Sequence, residues 1–152
     1  MYSNIVLTSG DLLESDADAL VNAINTVGVM SRGIALQFRQ SFPDNYKAYK
    51  AACKRGEVRT GEMFVTSLWS AHGQRFIINF PTKRDWRQQS DLAYIDAGLV
   101  DLVAQVRLRN IRSIAVPPLG CGLGGLDWKD VRPRIEDAFA GLPQVKVLLY
   151  GP

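Results

Sequence analysis

Short apolar runs alternate along this chain with longer stripes of helical period. Ile5-Val6-Leu7 and Ala19-Leu20-Val21 predict two buried strands, the first ending in Thr8-Ser9-Gly10-Asp11 and the second in Asn22. A helix with Ile34, Ala35, Phe38 and Phe42 on one face follows the stretch 22–33. Pro43 is expected to end it, and Asp44 to cap a second helix running to about Arg55, with Gly56 as its stop. Tyr46, Tyr49 and Cys53 on that helix read as core. Residues 63–68 and 76–80 read as strands joined by a turn around His72-Gly73, either a hairpin or neighbours in a mixed sheet. Ser90 is expected to cap a long helix carrying Leu92, Ile95, Leu99, Leu102, Val103 and Val106. Residues 111–116 form a fifth strand and 145–150 a sixth. Between them Asp127, with Asp130 three residues on, caps a helix presenting Val131, Ile135, Ala138 and Phe139. This alternation predicts an α/β protein, a three-layer α/β/α sandwich around a central mixed sheet of about six strands. Trp69 and Trp128 read as packing residues, and Tyr150 fits a pocket wall as well as a core.

Composition narrows the class. The chain has 152 residues, 47% hydrophobic and 22% charged, which suits one globular domain spanning 1–152. No apolar stretch reaches membrane-spanning length, and Met1-Tyr2-Ser3-Asn4 leads directly into the first strand, so a cytoplasmic protein without a signal peptide or membrane partner is expected. The last strand stops at Gly151-Pro152, which reads as a boundary with a further domain beyond. Cys53 and Cys121 are too few for a disulfide framework, and His72 is the only histidine. A metal site, a histidine triad and a bound cofactor are therefore not expected. A net charge of +3 with pI ≈ 9.0 permits a polyanionic partner without requiring one.

The segment Pro117-Pro-Leu-Gly-Cys-Gly-Leu-Gly-Gly-Leu-Asp-Trp128 lies between a strand and a helix, the arrangement that offers bare amides and a positive helix end to an anion. Taken alone, it equally fits a flexible turn. Gly120, Gly122 and Gly125 match the dinucleotide fingerprint, but the following strand ends Leu149-Tyr150-Gly151 without the acid that would hold a ribose. No Gly-Lys-Ser/Thr follows, so a P-loop is excluded. Asp11 suits either the cap of a turn at Leu12 or an acceptor for a ligand amine. Asn22 and Asn25 supply donors and acceptors suited to ribose hydroxyls. Lys83, Arg84, Trp86 and Arg87 form a basic loop with one aromatic platform. By composition it is a solvated loop with Trp86 packed inward; the alternative is a nucleic-acid contact. The loops 22–33, around Lys83 and around Gly120 each follow a strand and could gather at one sheet edge.

Three segments carry a resemblance: Gly10-Asp11, the run Asn22-Ala-Ile-Asn25-Thr-Val-Gly28-Val-Met-Ser-Arg-Gly33-Ile-Ala-Leu-Gln-Phe38, and the glycine loop from Pro117 to Trp128. Together they resemble the macrodomain, the ADP-ribose-binding fold. Asn79-Phe-Pro-Thr-Lys83-Arg-Asp-Trp-Arg87 resembles the branch containing terminal ADP-ribose glycohydrolases and the DarG antitoxins. That resemblance implies an enzyme removing ADP-ribose from DNA bases, with ADP-ribosylated single-stranded DNA as substrate and a DarT-type toxin as partner. It implies that Asp11 and Leu12 hold adenine and that the backbone of Gly120, Cys121, Gly122 and Leu123 holds the diphosphate. It further implies that Asn22, Asn25, Ser31, Arg32 and Gly33 face the distal ribose, with Lys83 catalytic. Arg84, Trp86 and Arg87 are candidate DNA contacts. Relatives often carry Gly-Lys-Gly where this chain has Ser31-Arg32-Gly33. Glycohydrolase relatives carry an aspartate at the position of Gly124, which bears on a covalent-lysine mechanism. Lys83 fits two chemistries, a neutral amine attacking the sugar or an ammonium assisting the leaving base. A non-catalytic reader, and a hydrolase of protein-linked ADP-ribose or O-acetyl-ADP-ribose, are the alternative functions.

Overall fold

The computed structural model describes residues 3–71 and 73–152; His72 of the predicted turn and the leading Met1-Tyr2 lie outside the described residues. Strands Ile5–Thr8 (β1), Ala19–Ile24 (β2), Phe64–Ser70 (β3), Gly73–Pro81 (β4), Ser113–Val116 (β5) and Lys146–Tyr150 (β6) form one sheet in the order β1-β6-β5-β2-β4-β3. Only β3 and β4 pair antiparallel, as a hairpin. Every other pair is parallel, so β1, β2, β4, β5 and β6 all end on the same edge of the sheet. Each loop singled out in the sequence follows one of those strands, and their convergence is therefore a consequence of strand direction.

Four α-helices cover the sheet: Gly33–Ser41 (α1), Pro43–Lys54 (α2), Leu92–Leu108 (α3) and Trp128–Ala140 (α4). The pleat sorts alternate residues to opposite faces. Ala19, Val21, Ile78 and Phe80 join the large core under α3 and α4, with Ile95, Leu102, Ile135 and Phe139 from the helices. Leu20 and Ile77 face α1 and pack on Phe38, while Ile24 joins Tyr49 and Ala52 of α2 in a third cluster. Phe80 lies so close to α3 that a Cβ on Gly98 would stand 2.4 Å from its Cζ. Only a residue without a side chain allows that helix to approach.

Several expectations about helix ends and packing are corrected. α2 begins at Pro43 itself, which needs no amide partner in the first turn, so Asp44 is a first-turn acid and not the cap. Asp91 caps α3 by accepting from Ala93 N at 2.9 Å, whereas Ser90 is buried. Trp69, read as packing, is 78% exposed on the edge strand β3. Trp128 does pack on the α3/α4 core, and Tyr49 is fully buried while Tyr46 and Cys53 are partly so. Asp127 caps α4 as expected, accepting from Lys129 N at 3.1 Å. Among the described residues, no helix is long and apolar enough to cross a membrane, and no cluster of three or more His, Cys, Asp or Glu could hold a metal ion.

Candidate active site

The loops after β2, β4 and β5, with the start of α1, enclose a cavity of ≈ 350 Å³ at the sheet edge. On one side it adjoins a groove between Asp11, Gln37, Gln40 and Tyr150, with Ile34, Pro117 and Pro118 shared by both. The two form one elongated cleft.

The glycine loop supplies its anion-binding wall. Gly120, Gly122 and Gly125 have φ of +74°, +64° and +82°. At Gly120 a Cβ would also stand 2.6 Å from Leu126 Cδ1, so a side chain there is both strained and crowded. The loop spends some amides on itself: Cys121 N donates to Pro118 O (3.0 Å), Gly125 N to Gly122 O (3.0 Å) and Leu126 N to Gly120 O (2.9 Å). Among the described residues, the amides of Gly120, Gly122 and Leu123 have no protein partner. The expected amide of Cys121 is therefore replaced by its neighbours, because its N–H closes the turn. Burial and, secondarily, Asp127 push the Cys121 thiol pKa up, which disfavours its thiolate. Opposite stands the N-terminus of α1, capped by no side chain and lined by Gly33, Ile34 and Ala35. Leu123 reaches across to within 3.5 Å of where a Gly33 Cβ would lie. Two sets of unpaired amides thus face one volume, and the helix dipole adds to the positive potential there.

Below the glycine loop, Ser90 N donates to Gly124 O (2.8 Å), and the buried Ser90 Oγ would be 2.7 Å from a Gly124 Cβ. That hydroxyl has no protein partner. A side chain at position 124 would require the Ser90 hydroxyl to turn away, and Ser90, expected to cap a helix, props the anion loop instead.

The two asparagines divide. Asn25, 4% exposed, lines the cavity, but its side chain braces its own loop. Nδ2 donates to Val29 O (2.7 Å), and Oδ1 accepts from Val27 N, Val29 N and the Tyr49 hydroxyl (2.8 Å). Tyr49 also holds Asn25 O at 2.8 Å, and burial keeps its hydroxyl protonated by pushing its pKa well up. Asn22 does not reach the cavity, correcting the expectation that it faces a ribose. It points from the sheet toward α2, where its Nδ2 donates to Asn79 Oδ1 (3.1 Å). Asn45 and Asn79 exchange bonds of 3.2 and 2.9 Å, and Thr66 Oγ1 donates to Asn45 Oδ1 (2.7 Å). This buried polar network is invisible in the sequence because its members come from three strands and a helix. Only the asparagines at otherwise apolar positions of β2 and β4 hinted at it.

The loop after β4 is fastened to the loop after β2. Thr82 N donates to Ile24 O (2.9 Å), and Thr26 donates to Arg84 O through both its amide (3.0 Å) and its hydroxyl (2.9 Å). Lys83 consequently lines the cavity, its Nζ donating to Trp86 O at 3.2 Å. Arg32 reaches the same carbonyl from the opposite wall (3.4 Å), its guanidinium 5.5 Å from the Trp86 ring centroid. Partial burial lowers the Lys83 pKa, the Arg32 charge adds to that, and Asp85 opposes it. Ser31, Arg32, Gly33 and Trp86 also line the cavity. Arg87 is paired in a two-pronged contact with Asp85 (3.1 and 3.0 Å), which holds that carboxyl down to about 2. Arg84 lies 5.7 Å from the Tyr94 ring. Of the three candidate DNA contacts, Trp86 alone reaches the cavity.

At the other end, Asp11 caps the short turn at Leu12 by accepting from Leu13 N at 3.0 Å. It stays exposed, and both it and Leu12 line the groove. Both readings of Asp11 therefore coexist. Gln37 and Gln40 were missed because they lie on the polar side of α1.

Residues 21–135 match the Macro domain family model. The chain is 56% identical over 148 residues to a DNA ADP-ribosyl glycohydrolase of Mycobacterium tuberculosis, covering 97% of this chain and 42% of that protein. The structure is similar to the macrodomain of Mycobacterium tuberculosis DarG, with TM-score 0.95, 56% identity and 97% of each chain covered. It is also similar to Thermosipho africanus DarTG in complex with ADP-ribose, with TM-score 0.92 and 35% identity over 99% of this chain and 42% of that one. The chain spans less than half the length of the first curated relatives it matches.

Proposed function

Since the chain belongs to the macrodomain family, we propose that it binds ADP-ribose along this cleft and releases it hydrolytically from modified bases of single-stranded DNA. The carrying observation is that unpaired amides of the glycine loop and of the α1 N-terminus face the same cavity as the Lys83 amine, which arrives from a third loop. In this reading adenine lies in the groove beside Asp11, Leu12 and Tyr150. The diphosphate sits between Gly120, Gly122, Leu123 and the first turn of α1. The distal ribose then falls beside Asn25, Ser31, Arg32 and Lys83, and the linked base leaves past Trp86. The DarG relatives support the substrate class, and the Thermosipho africanus DarTG supports a DarT-type partner.

Lys83 is the catalytic residue of the proposal. Among the described residues lining the cavity there is no carboxylate, and position 124 is a glycine. Asp85, the acid near Lys83, is held ionised by Arg87, so in this reading Lys83 supplies the proton itself. Its ammonium donates to the departing base as the C1″–N bond breaks and the base takes the bonding pair. Water adds to the sugar carbon and returns a proton to the amine. A lowered pKa makes Lys83 a stronger acid, which assists this step. The same shift would assist the competing route, in which neutral Nζ attacks C1″ as the C1″–N bond breaks, the base leaving with the bonding pair and a solvent proton. The glycosylamine then opens to an imine, which water hydrolyses to free the amine and ADP-ribose.

The test is Lys83→Ala, assayed for ADP-ribose release from modified single-stranded DNA together with calorimetry of free ADP-ribose. Release should fall by roughly 10²- to 10⁴-fold with binding retained. No release by the unmutated protein from DNA, from ADP-ribosylated protein or from O-acetyl-ADP-ribose would leave only a reader. The pH profile separates the routes. An acid role gives activity that is present below the Lys83 pKa and lost as pH rises through it, whereas a nucleophilic role gives the opposite slope and a borohydride-trapped adduct.

A further inference from the structure

Lys47, Lys50 and Lys54 of α2 are exposed and lie within about 60° of arc on one helical face, spread along about 10 Å of its length. None has a carboxylate partner among the described residues. α1 and α2 together carry Arg39 and these three lysines against the single acid Asp44. On the opposite layer, α3 and α4 carry five acids against four bases, with Arg132 paired to Glu136 and Arg134 to Asp96.

The lysine face is physically joined to the cavity. α2 climbs toward the site edge, where Tyr49 holds Asn25 and where a Gly28 Cβ would lie 3.5 Å from Cys53 Cβ and 3.8 Å from Lys50 Cγ. Gly28 belongs to the same loop as Ser31 and Arg32, beside the proposed ribose position. Tyr46 restrains two cations beside this face: Arg39 lies 4.4 Å and Lys50 5.9 Å from its ring centroid. Meanwhile Arg87, the cation expected to meet DNA, is neutralised by Asp85.

We propose that the Lys47-Lys50-Lys54 face of α2, entered over the Gly28 loop, is the track for the phosphate backbone of the single-stranded DNA carrying the ADP-ribose. The proposal rests on the DNA-directed reading above, and it locates strand binding away from the loop after β4.

Fluorescence anisotropy of a labelled, unmodified single-stranded oligonucleotide, titrated across NaCl concentrations, tests it. Each phosphate contact on a single strand contributes about 0.7 to the slope of log K against log[salt]. The triple variant Lys47→Ala/Lys50→Ala/Lys54→Ala should therefore flatten the slope by about 2, with melting temperature and ADP-ribose affinity unchanged. Arg107→Ala/Lys129→Ala on the opposite layer should leave the slope as it is. An unchanged slope in the triple variant, or no oligonucleotide binding by the unmutated protein, overturns the track. A lysine-dependent slope with no ADP-ribose release keeps the track and discards the glycohydrolase reading. Release with an unchanged slope does the reverse.

Discussion

The two helical layers solve different problems with the same sheet. Under α3 and α4 the sheet presents Val21, Ile78, Phe80 and Val116 to one continuous apolar core. Under α1 and α2 the apolar contacts break into two smaller clusters. Asn22 lies between Leu20 and Ile24 on that face, and it joins Asn79, Asn45 and Thr66 in hydrogen bonds instead of packing. The first layer gains stability from area removed from water, a force without direction of its own. The second is held by directional bonds that specify where α2 stands. α2 in turn fixes Asn25 through Tyr49 and carries the lysine face. Rigidity is thus placed where the cleft needs it, and bulk burial where it does not.

Lys83 belongs to neither layer, and its removal should have the largest effect, the loss of release described above with the fold intact. Next comes Phe80→Ala under α3. It removes a buried ring and should cost about 3–5 kcal/mol in urea unfolding, while ADP-ribose affinity, read where the variant is still folded, stays near the native value. Gly98→Ala attacks the same contact from the other side and should cost about 1–3 kcal/mol. An Ala at 98 that left stability untouched would mean the helix is free to move away. In the opposite layer, Asn79→Ala strands the amides of Asn22 and Asn45 and should cost about 1–3 kcal/mol. Here affinity should fall as well, since α2 supports the site loop; a stability loss with native affinity would break the comparison. Smallest is Tyr49→Phe, which removes one hydroxyl shared by Asn25 O and Oδ1. About 1 kcal/mol of stability is expected, with amide exchange faster in residues 25–30 and unchanged in α3.

Strand and helix identities were legible because their periods are strong. The run Ala19-Leu20-Val21 and the stripe of Ile95, Leu99, Leu102 and Val106 admit few other readings. Boundaries were less legible where two residues compete for one role. Ser90 and Asp91 both suit a cap, and only the closeness of Gly120 and Gly124 to Ser90 decides for Asp91. The same holds for the pair Pro43 and Asp44. In the site, residue type left the glycine loop balanced between an anion site and a flexible turn, and Lys83 was singled out only by the family resemblance. The spending of the Cys121 amide, the pairing of Arg87 with Asp85 and the inward turn of Asn22 were not legible.

Chain order and hydrophobic period by themselves determined that six strands would alternate with four helices and that polar loops would follow strand ends. These are local properties, set by side-chain spacing within a few residues. Which of those polar groups remain unpaired and face the cleft was decided only in three dimensions. Hydrogen-bonding capacity is consumed by whatever neighbour arrives first in space, and Asn79 lies 57 positions from Asn22 and 34 from Asn45.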